Sequence, residues 1–295
     1  KQARRKARKN GMCVPDGFID PSRTLHELRL IKNDEEMKVL QRAADITGDA
    51  HCAAMRATAD GVYEFELESI IDHTFRKNGG TGPGYTTIVG GGKNATILHY
   101  IENDMPLNDG DLVCVDAGCE YGMYTADVTR TWPVSGKFSE AQRAMYQVVL
   151  DAQEAAINQA VEGNTMRSVH QIASRTLTEG MVRIGLLNGD VDDLIAEEKH
   201  RKYYMHGTSH WLGLDVHDVG SYFQKGQSRL LAPGMVLTVE PGLYVTEDDE
   251  DAPAEFRGIG IRIEDDVLIT KGGNRVLTAG IPKTVEEIEA EMAKR

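Results

Sequence analysis

No stretch of the 295-residue sequence approaches the roughly 18 consecutive apolar residues that a membrane-spanning helix needs, and no apolar leader core follows the basic opening. Cysteine is scarce. Cys13, Cys52, Cys114 and Cys119 show no Cys-x-x-Cys spacing and are too few for a disulfide scaffold of this length, so a reducing compartment, the cytoplasm, is expected. Positive charge is short as well: 33 Lys plus Arg face 46 Asp plus Glu, a net charge of −13. That field repels nucleic-acid phosphates and anionic lipid, which excludes both as expected partners. Only the opening departs from it, where Lys1, Arg4, Arg5, Lys6, Arg8 and Lys9 cluster in what reads as a solvated helix end or linker. The chain begins at Lys1 instead of Met, from which we expect an N-terminal portion to have been removed or left unrepresented. With 41% hydrophobic residues and no low-complexity segment, what remains can bury a core as one large domain or at most two.

Periodicity then lays out the elements. Asn33 with Glu36 makes a capping box, and Met37, Leu40, Ala44, Thr47, His51 and Ala54 recur at helical spacing up to Gly61. A second helix is expected over Glu64 to Asn78, with Leu67, Ile70, Ile71 and Phe75 inward and Gly79 as its cap. Strands are expected over 85–89, 95–100, 112–117 and 125–132. The order repeats: Ser139 with Gln142 opens a helix running to Gly163, another covers 166–184, and strands follow around 235–240 and 260–269. Strands in blocks, without strict alternation, indicate an α+β architecture with pseudo-twofold duplicated helix-helix-strands units.

The chemistry concentrates in three places. A two-residue turn at Tyr121-Gly122 would set Asp116 directly opposite Asp127, with Val113, Val115 and Ala117 facing Arg130, Val128 and Ala126 on the other side. Two opposed carboxylates on a half-buried face repel unless a cation neutralises them; two ordinary acids on a solvated sheet surface are the plain alternative. Three of nine histidines, His206, His210 and His217, fall within twelve positions beside Trp211, which reads as a buried polar site. Glu240 ends an apolar strand before Pro241-Gly242, and alternation places Arg262 and Glu264 on one face; a salt-bridged strand face would account for that pair equally. Asp116, Asp127, His210, Glu240 and Glu264 together offer four carboxylates and one imidazole, an oxygen-rich set suited to Mn²⁺, Mg²⁺ or Fe²⁺ and large enough for two cations.

The stretches Gly84 to Val89, Ile97 to Tyr100, Val115 to Tyr121, Asp127 to Thr131, His206 to Asp218, Glu240-Pro241-Gly242 and Arg262-Ile263-Glu264 resemble the pita-bread metallopeptidases, in particular their aminopeptidase P branch. The similarity runs from about Gly17 to Thr278. It implies a pita-bread fold, duplicated units around a curved, mainly antiparallel sheet. It also implies two divalent ions, Mn²⁺ foremost, held by Asp116, Asp127, His210, Glu240 and Glu264, with Asp127 and Glu264 bridging. Glu240 would move the proton, His206 and His217 would sit near the scissile carbonyl, His99 would line the substrate site, and Arg262 and Tyr244 would hold the primed side.

The activity so implied is removal of the N-terminal residue from peptides with proline second, by a hydroxide held between the two metals. An Xaa-Pro bond lacks the N–H on which strand-binding peptidases rely. On this resemblance residues 1–32 are a linker or the remnant of a missing N-terminal domain and residues 33–295 the catalytic domain, with a homo-oligomer, dimer or tetramer, expected where that domain is present. Two other readings compete: a prolidase restricted to Xaa-Pro dipeptides, which shares the five ligands, and a non-catalytic binding module, against which the retention of all five speaks.

Overall fold

The computed structural model describes residues 2–12 and 19–294, so that Lys1, Cys13 and Gly17 lie outside the described residues. The basic opening forms a short helix, α1 (Gln2–Lys9), and α2 (Ser22–Leu30) follows. The first repeat contains α3 (Asp34–Ala57), α4 (Glu64–Lys77), β1 (Gly82–Pro83), β2 (Ile88–Gly91), β3 (Leu112–Asp116), β4 (Cys119–Tyr121), β5 (Tyr124–Thr125) and β6 (Thr129–Pro133). The second contains α5 (Glu140–Gln159), α6 (Met166–Arg183), α7 (Val191–Ala196), β7 (Phe223–Gln224), β8 (Gln227–Ser228), β9 (Val236–Val239), β10 (Gly242–Val245), β11 (Ile259–Arg262), β12 (Asp265–Thr270) and β13 (Gly273–Val276), and α8 (Val285–Met292) closes the chain.

The helices start where their caps dictate. Asn33 Oδ1 accepts from the amides of Glu35 and Glu36 while the Glu36 carboxylate accepts from the Asn33 amide, and Ser139 and Gln142 do the same for α5. Every α3 position expected to face inward, from Met37 to Ala54, is buried. Each repeat contains one three-stranded antiparallel sheet, β2-β3-β6 in the first and β13-β12-β9 in the second, and each follows a helix pair in the chain.

Two sequence expectations need correction. The hairpin turns at Gly122-Met123, both with positive φ (57° and 71°), and pairs Tyr121 with Tyr124. Such a turn suits the right-handed twist of its strands, and glycine takes its first central position at no steric cost. The register therefore slips by two: Asp116 pairs with Thr129, and Asp127 lies two residues before β6. An even slip leaves each side chain on its expected face. The strand expected over 95–100 is instead a short 3-10 turn at Gly92–Thr96 and an open stretch. Glu64 gathers it, accepting from the amides of Gly91 and Met105, Asn94 Nδ2 and the Tyr100 hydroxyl. β11 packs so closely there that a Cβ on Gly260 would lie 2.0 Å from the Ala95 carbonyl oxygen.

A buried ion cluster locks the repeats together. Arg130 Nη2 of β6 donates to Asp265 Oδ1 of β12 at 2.7 Å, and Lys283 Nζ, Gln153 Nε2 and Thr278 Oγ1 satisfy the same carboxylate. Arg130 and Asp265 are fully buried, and despite the desolvation opposing it the positive charge around Asp265 holds its carboxyl well below the usual range. No helix among the described residues is long and apolar enough to cross a membrane.

Candidate active site

Each repeat delivers two carboxylates at the mouth of an antiparallel strand pair. Asp116 ends β3 and Asp127 precedes β6; Glu240 follows β9 and Glu264 immediately precedes β12. The mouths meet because β6 and the end of β11 are stitched together: the Glu264 amide donates to the Thr129 carbonyl at 3.0 Å, and Thr131 Oγ1 donates to the Arg262 carbonyl at 3.0 Å. The four acids and His210 line one cavity of about 470 Å³, whose wall also includes His99, His206, His217 and Arg262. Ile88, Leu98, Ile101 and Val216 supply its apolar side. Of the residues singled out in the sequence, only Tyr244 is not part of the wall; its hydroxyl lies behind it, 2.9 Å from His206 Nε2 and 3.1 Å from Arg262 Nη1.

Charge in this cavity is poorly balanced. Asp127 and Glu264 are 4% and 2% exposed, and one atom from each of Asp127, His210 and Glu264 fits within 4.8 Å of the others. Burial first, then Asp127 and the other neighbouring carboxylates, drives Glu264 well above its ordinary range; burial likewise raises Asp127. Glu240 is pushed up to about 7, again chiefly by desolvation. Burial disfavours the His210 cation, but the hydrogen bond and charge of Asp127, with Glu240 beyond, outweigh it and carry the imidazole up to about 9. Its Nε2 stands 3.3 Å from Asp127 Oδ2 and 3.6 Å from Glu240 Oε1. Its Nδ1 donates to the Trp211 carbonyl at 3.0 Å, which orients Nε2 toward the acids. Arg262 is a buried cation in the cavity wall: Nη2 donates to Asp116 Oδ2 at 2.8 Å and Nε to Thr129 Oγ1, whose own hydroxyl donates to Glu264 Oε2.

Four clustered carboxylates against one guanidinium and one imidazole are what divalent cations would neutralise, and the hard oxygen donors with a single nitrogen suit such ions. The residues present therefore fit a metal site.

Three contributors were not legible as such. Tyr85, within a stretch already singled out, has its hydroxyl 2.6 Å from Asp116 Oδ1 and 2.6 Å from Asp127 Oδ1. Asp266 Oδ2 accepts from the Asp127 amide at 3.2 Å. Glu64 shapes the loop that presents Leu98, His99 and Ile101. An alternation of tyrosine with small residues, or an acid opening a helix, carries no signal of such distant partners.

His206 is half-buried and its pKa falls to about 4, through desolvation first and Arg262 second, so it is neutral. Nδ1 donates to the Gly207 carbonyl at 2.8 Å, and Nε2 accepts from Tyr244. The His217 ring lies edge-on to His210, with centroids 4.5 Å apart.

Comparison with known proteins identifies the family. Residues 38–271 match the model of metallopeptidase family M24. The chain is 51% identical over 288 residues to an Xaa-Pro aminopeptidase of Escherichia coli, covering 98% of this chain and 65% of the relative. It is 52% identical over 272 residues to one of Haemophilus influenzae, covering 92% and 63%. A Pseudomonas aeruginosa aminopeptidase structure superposes with a TM-score of 0.97 at 47% identity, covering 99% of this chain and 66% of that one. Zinc-substituted E. coli aminopeptidase P in complex with product gives 0.95 at 50% identity, with the same coverage. The chain thus spans just under two thirds of the length of the curated relatives it matches. Its mixed helices and antiparallel sheets are the pita-bread fold, and the chain belongs to metallopeptidase family M24.

Proposed function

We propose that residues 33–295 form the catalytic unit of an Xaa-Pro aminopeptidase, which removes the N-terminal residue from peptides with proline in second position. The observation that carries this reading is the convergence of Asp116, Asp127, His210, Glu240 and Glu264 on one cavity, in a chain about half identical to proteins of that name. These five residues would hold two divalent ions, Mn²⁺ by preference given the oxygen-rich donors. When bound, such ions acidify water and polarise a carbonyl.

The chain's own groups do the remainder. Glu240, its carboxyl pushed up to about 7 by burial, takes a proton from the attacking water and hands it to the departing proline nitrogen. His217, whose ring has no hydrogen-bond partner among the described residues, is free to donate to the developing oxyanion. His206 is held neutral beside Glu240, its Nδ1 3.8 Å from Oε2. Arg262, tied to Tyr244, presents its charge to the primed side, and His99 lines the same cavity. Proline suits this arrangement because none of these groups requires an N–H at the scissile bond. Cys52, Cys114 and Cys119 are free thiols, which supports a reducing compartment, the cytoplasm.

Dialysis against chelator should abolish cleavage of Xaa-Pro-Xaa tripeptides and Mn²⁺ should restore it; activity indifferent to both overturns the reading. A strong preference for Xaa-Pro dipeptides would shift it to prolidase.

A further inference from the structure

His210 and His217 share a loop, residues 204–222, that contains no helix or strand beyond one bridge at Trp211. Its first part is pinned to β9 by backbone hydrogen bonds. Thr238 N donates to the His210 carbonyl at 3.0 Å, Leu212 N to Val236 O at 3.1 Å, and Glu240 N to Thr208 O at 2.9 Å. The second part, with His217, has no such ladder; the Asp218 amide donates to the Trp211 carbonyl at 2.9 Å, and the His217 ring itself makes no hydrogen bond among the described residues. Its place in the cavity wall depends on where the backbone puts it.

Beyond that backbone bond, what holds the segment is the neighbouring side chain. Asp218 is buried, its Oδ1 accepting from the Val219 amide at 2.9 Å and from Arg29 Nη2. Its Oδ2 faces Lys32 Nζ at 3.3 Å, both side chains being 1% exposed. Arg29 also reaches Asp215 Oδ2 at 2.5 Å, gripping the loop on the other side of His217. Lys32 is fixed in turn by its amide, which donates to the Gly234 carbonyl at 2.8 Å, and Leu30 is buried in a cluster with Trp211 and Leu237. The loop makes room for this clamp: a Cβ on Gly213 would lie 2.2 Å from Asp218 Oδ2 and 2.9 Å from Lys32 Cε. A buried lysine is costly to desolvate and its burial against one carboxylate needs a reason beyond stability.

We propose that Lys32 and Arg29, outside the catalytic unit in sequence, are positioning residues that fix His217 through the Asp218 carboxylate. The proposal rests on the reading above, in which His217 faces the scissile carbonyl. Residues ahead of α3 then do more than connect: they set the geometry of a group in the cavity wall.

A double-mutant cycle between Lys32→Met and His217→Ala tests it in the metal-loaded chain. Displacement of a reacting group by about 1 Å costs about 100-fold, so Lys32→Met should lower kcat on an Xaa-Pro-Xaa peptide by about 10- to 100-fold with KM nearly unchanged. In the His217→Ala background the same substitution should change kcat less than about twofold. Additive losses overturn the proposal. Should Lys32→Met fail to unfold cooperatively, Arg29→Met, at a residue already part-exposed, carries the same cycle.

A readout without turnover separates this inference from the assigned activity. In ¹⁵N-histidine-labelled protein loaded with a diamagnetic divalent ion, the His217 imidazole signal, identified by its loss in His217→Ala, should broaden or split in Lys32→Met while that of His206 stays. An unchanged His217 signal refutes the clamp. Absence of any proline-peptide cleavage by the unsubstituted chain refutes the activity and leaves the clamp to be decided by the spectrum.

Discussion

Replacing Tyr85 by Phe removes one oxygen and leaves the ring in place, so it isolates what the hydroxyl does for the acids. The hydroxyl sits 2.6 Å from an oxygen of Asp116 and 2.6 Å from one of Asp127, yet it has a single proton and donates to one of them at a time. Its loss is therefore worth one hydrogen bond to a charged acceptor, about 1.5–3 kcal/mol. Groups that orient metal ligands from behind typically contribute about 10- to 100-fold in affinity, which converts to about 1.4–2.7 kcal/mol, so the two routes agree. Tyr85→Phe should accordingly weaken Mn²⁺ binding about 10- to 100-fold, measured by titration calorimetry on chelator-stripped protein, with cooperative unfolding retained. Unchanged or tighter binding would refute the reasoning, because it would mean that the hydroxyl competes with the ion for the carboxylate oxygens instead of aiming them.

Asp127→Asn should lower Mn²⁺ affinity by about 100-fold or more, beyond the range for residues that only orient ligands. It should leave the far-ultraviolet circular dichroism unchanged, because the apolar face of β3 and β6 is untouched; loss of cooperative unfolding would show the carboxylate to be structural. Against the desolvation that lowers it, the hydrogen bond and charge of Asp127 hold His210 up to about 9 from an ordinary 6.5 in the metal-free protein. A group raised on folding stabilises fully below its unfolded value, so this contribution is complete below 6.5 and disappears as pH rises through 9. Urea midpoints measured in chelator should thus fall between about pH 6 and 9.5 by more in the unsubstituted chain than in His210→Asn. Parallel declines would contradict the pairing of His210 with Asp127.

What could be read from the sequence was local, or was fixed by parity. Asn33 with Glu36 and Ser139 with Gln142 announce helix starts because a cap is satisfied within three residues. Alternation places Arg262 and Glu264 on one face whatever the strand pairs with, and both do face the cavity. The hairpin register was harder, since Tyr121-Gly122 and Gly122-Met123 are both short turns and only the second puts glycine first with Met123 tolerating positive φ. The stretch 95–100 has a strand's composition, but four hydrogen bonds to Glu64, some thirty residues earlier, bend it into a loop. Tyr85, Asp266 and Lys32 act across separations that no periodicity reports. Burial of Arg130 was equally hidden, for its partner Asp265 comes from the other repeat.

That the two repeats contribute equally to the acid cluster bears on how a nascent chain copes with its own repulsion. A ribosome that has released only the first repeat has exposed Asp116 and Asp127 but neither Glu240 nor Glu264. The four acids can crowd together only once both repeats have been made, and the same is true of the contact between Arg130 and Asp265. Attraction at that hidden pair and repulsion in the cavity both belong to the interface between repeats, and neither exists within one repeat alone.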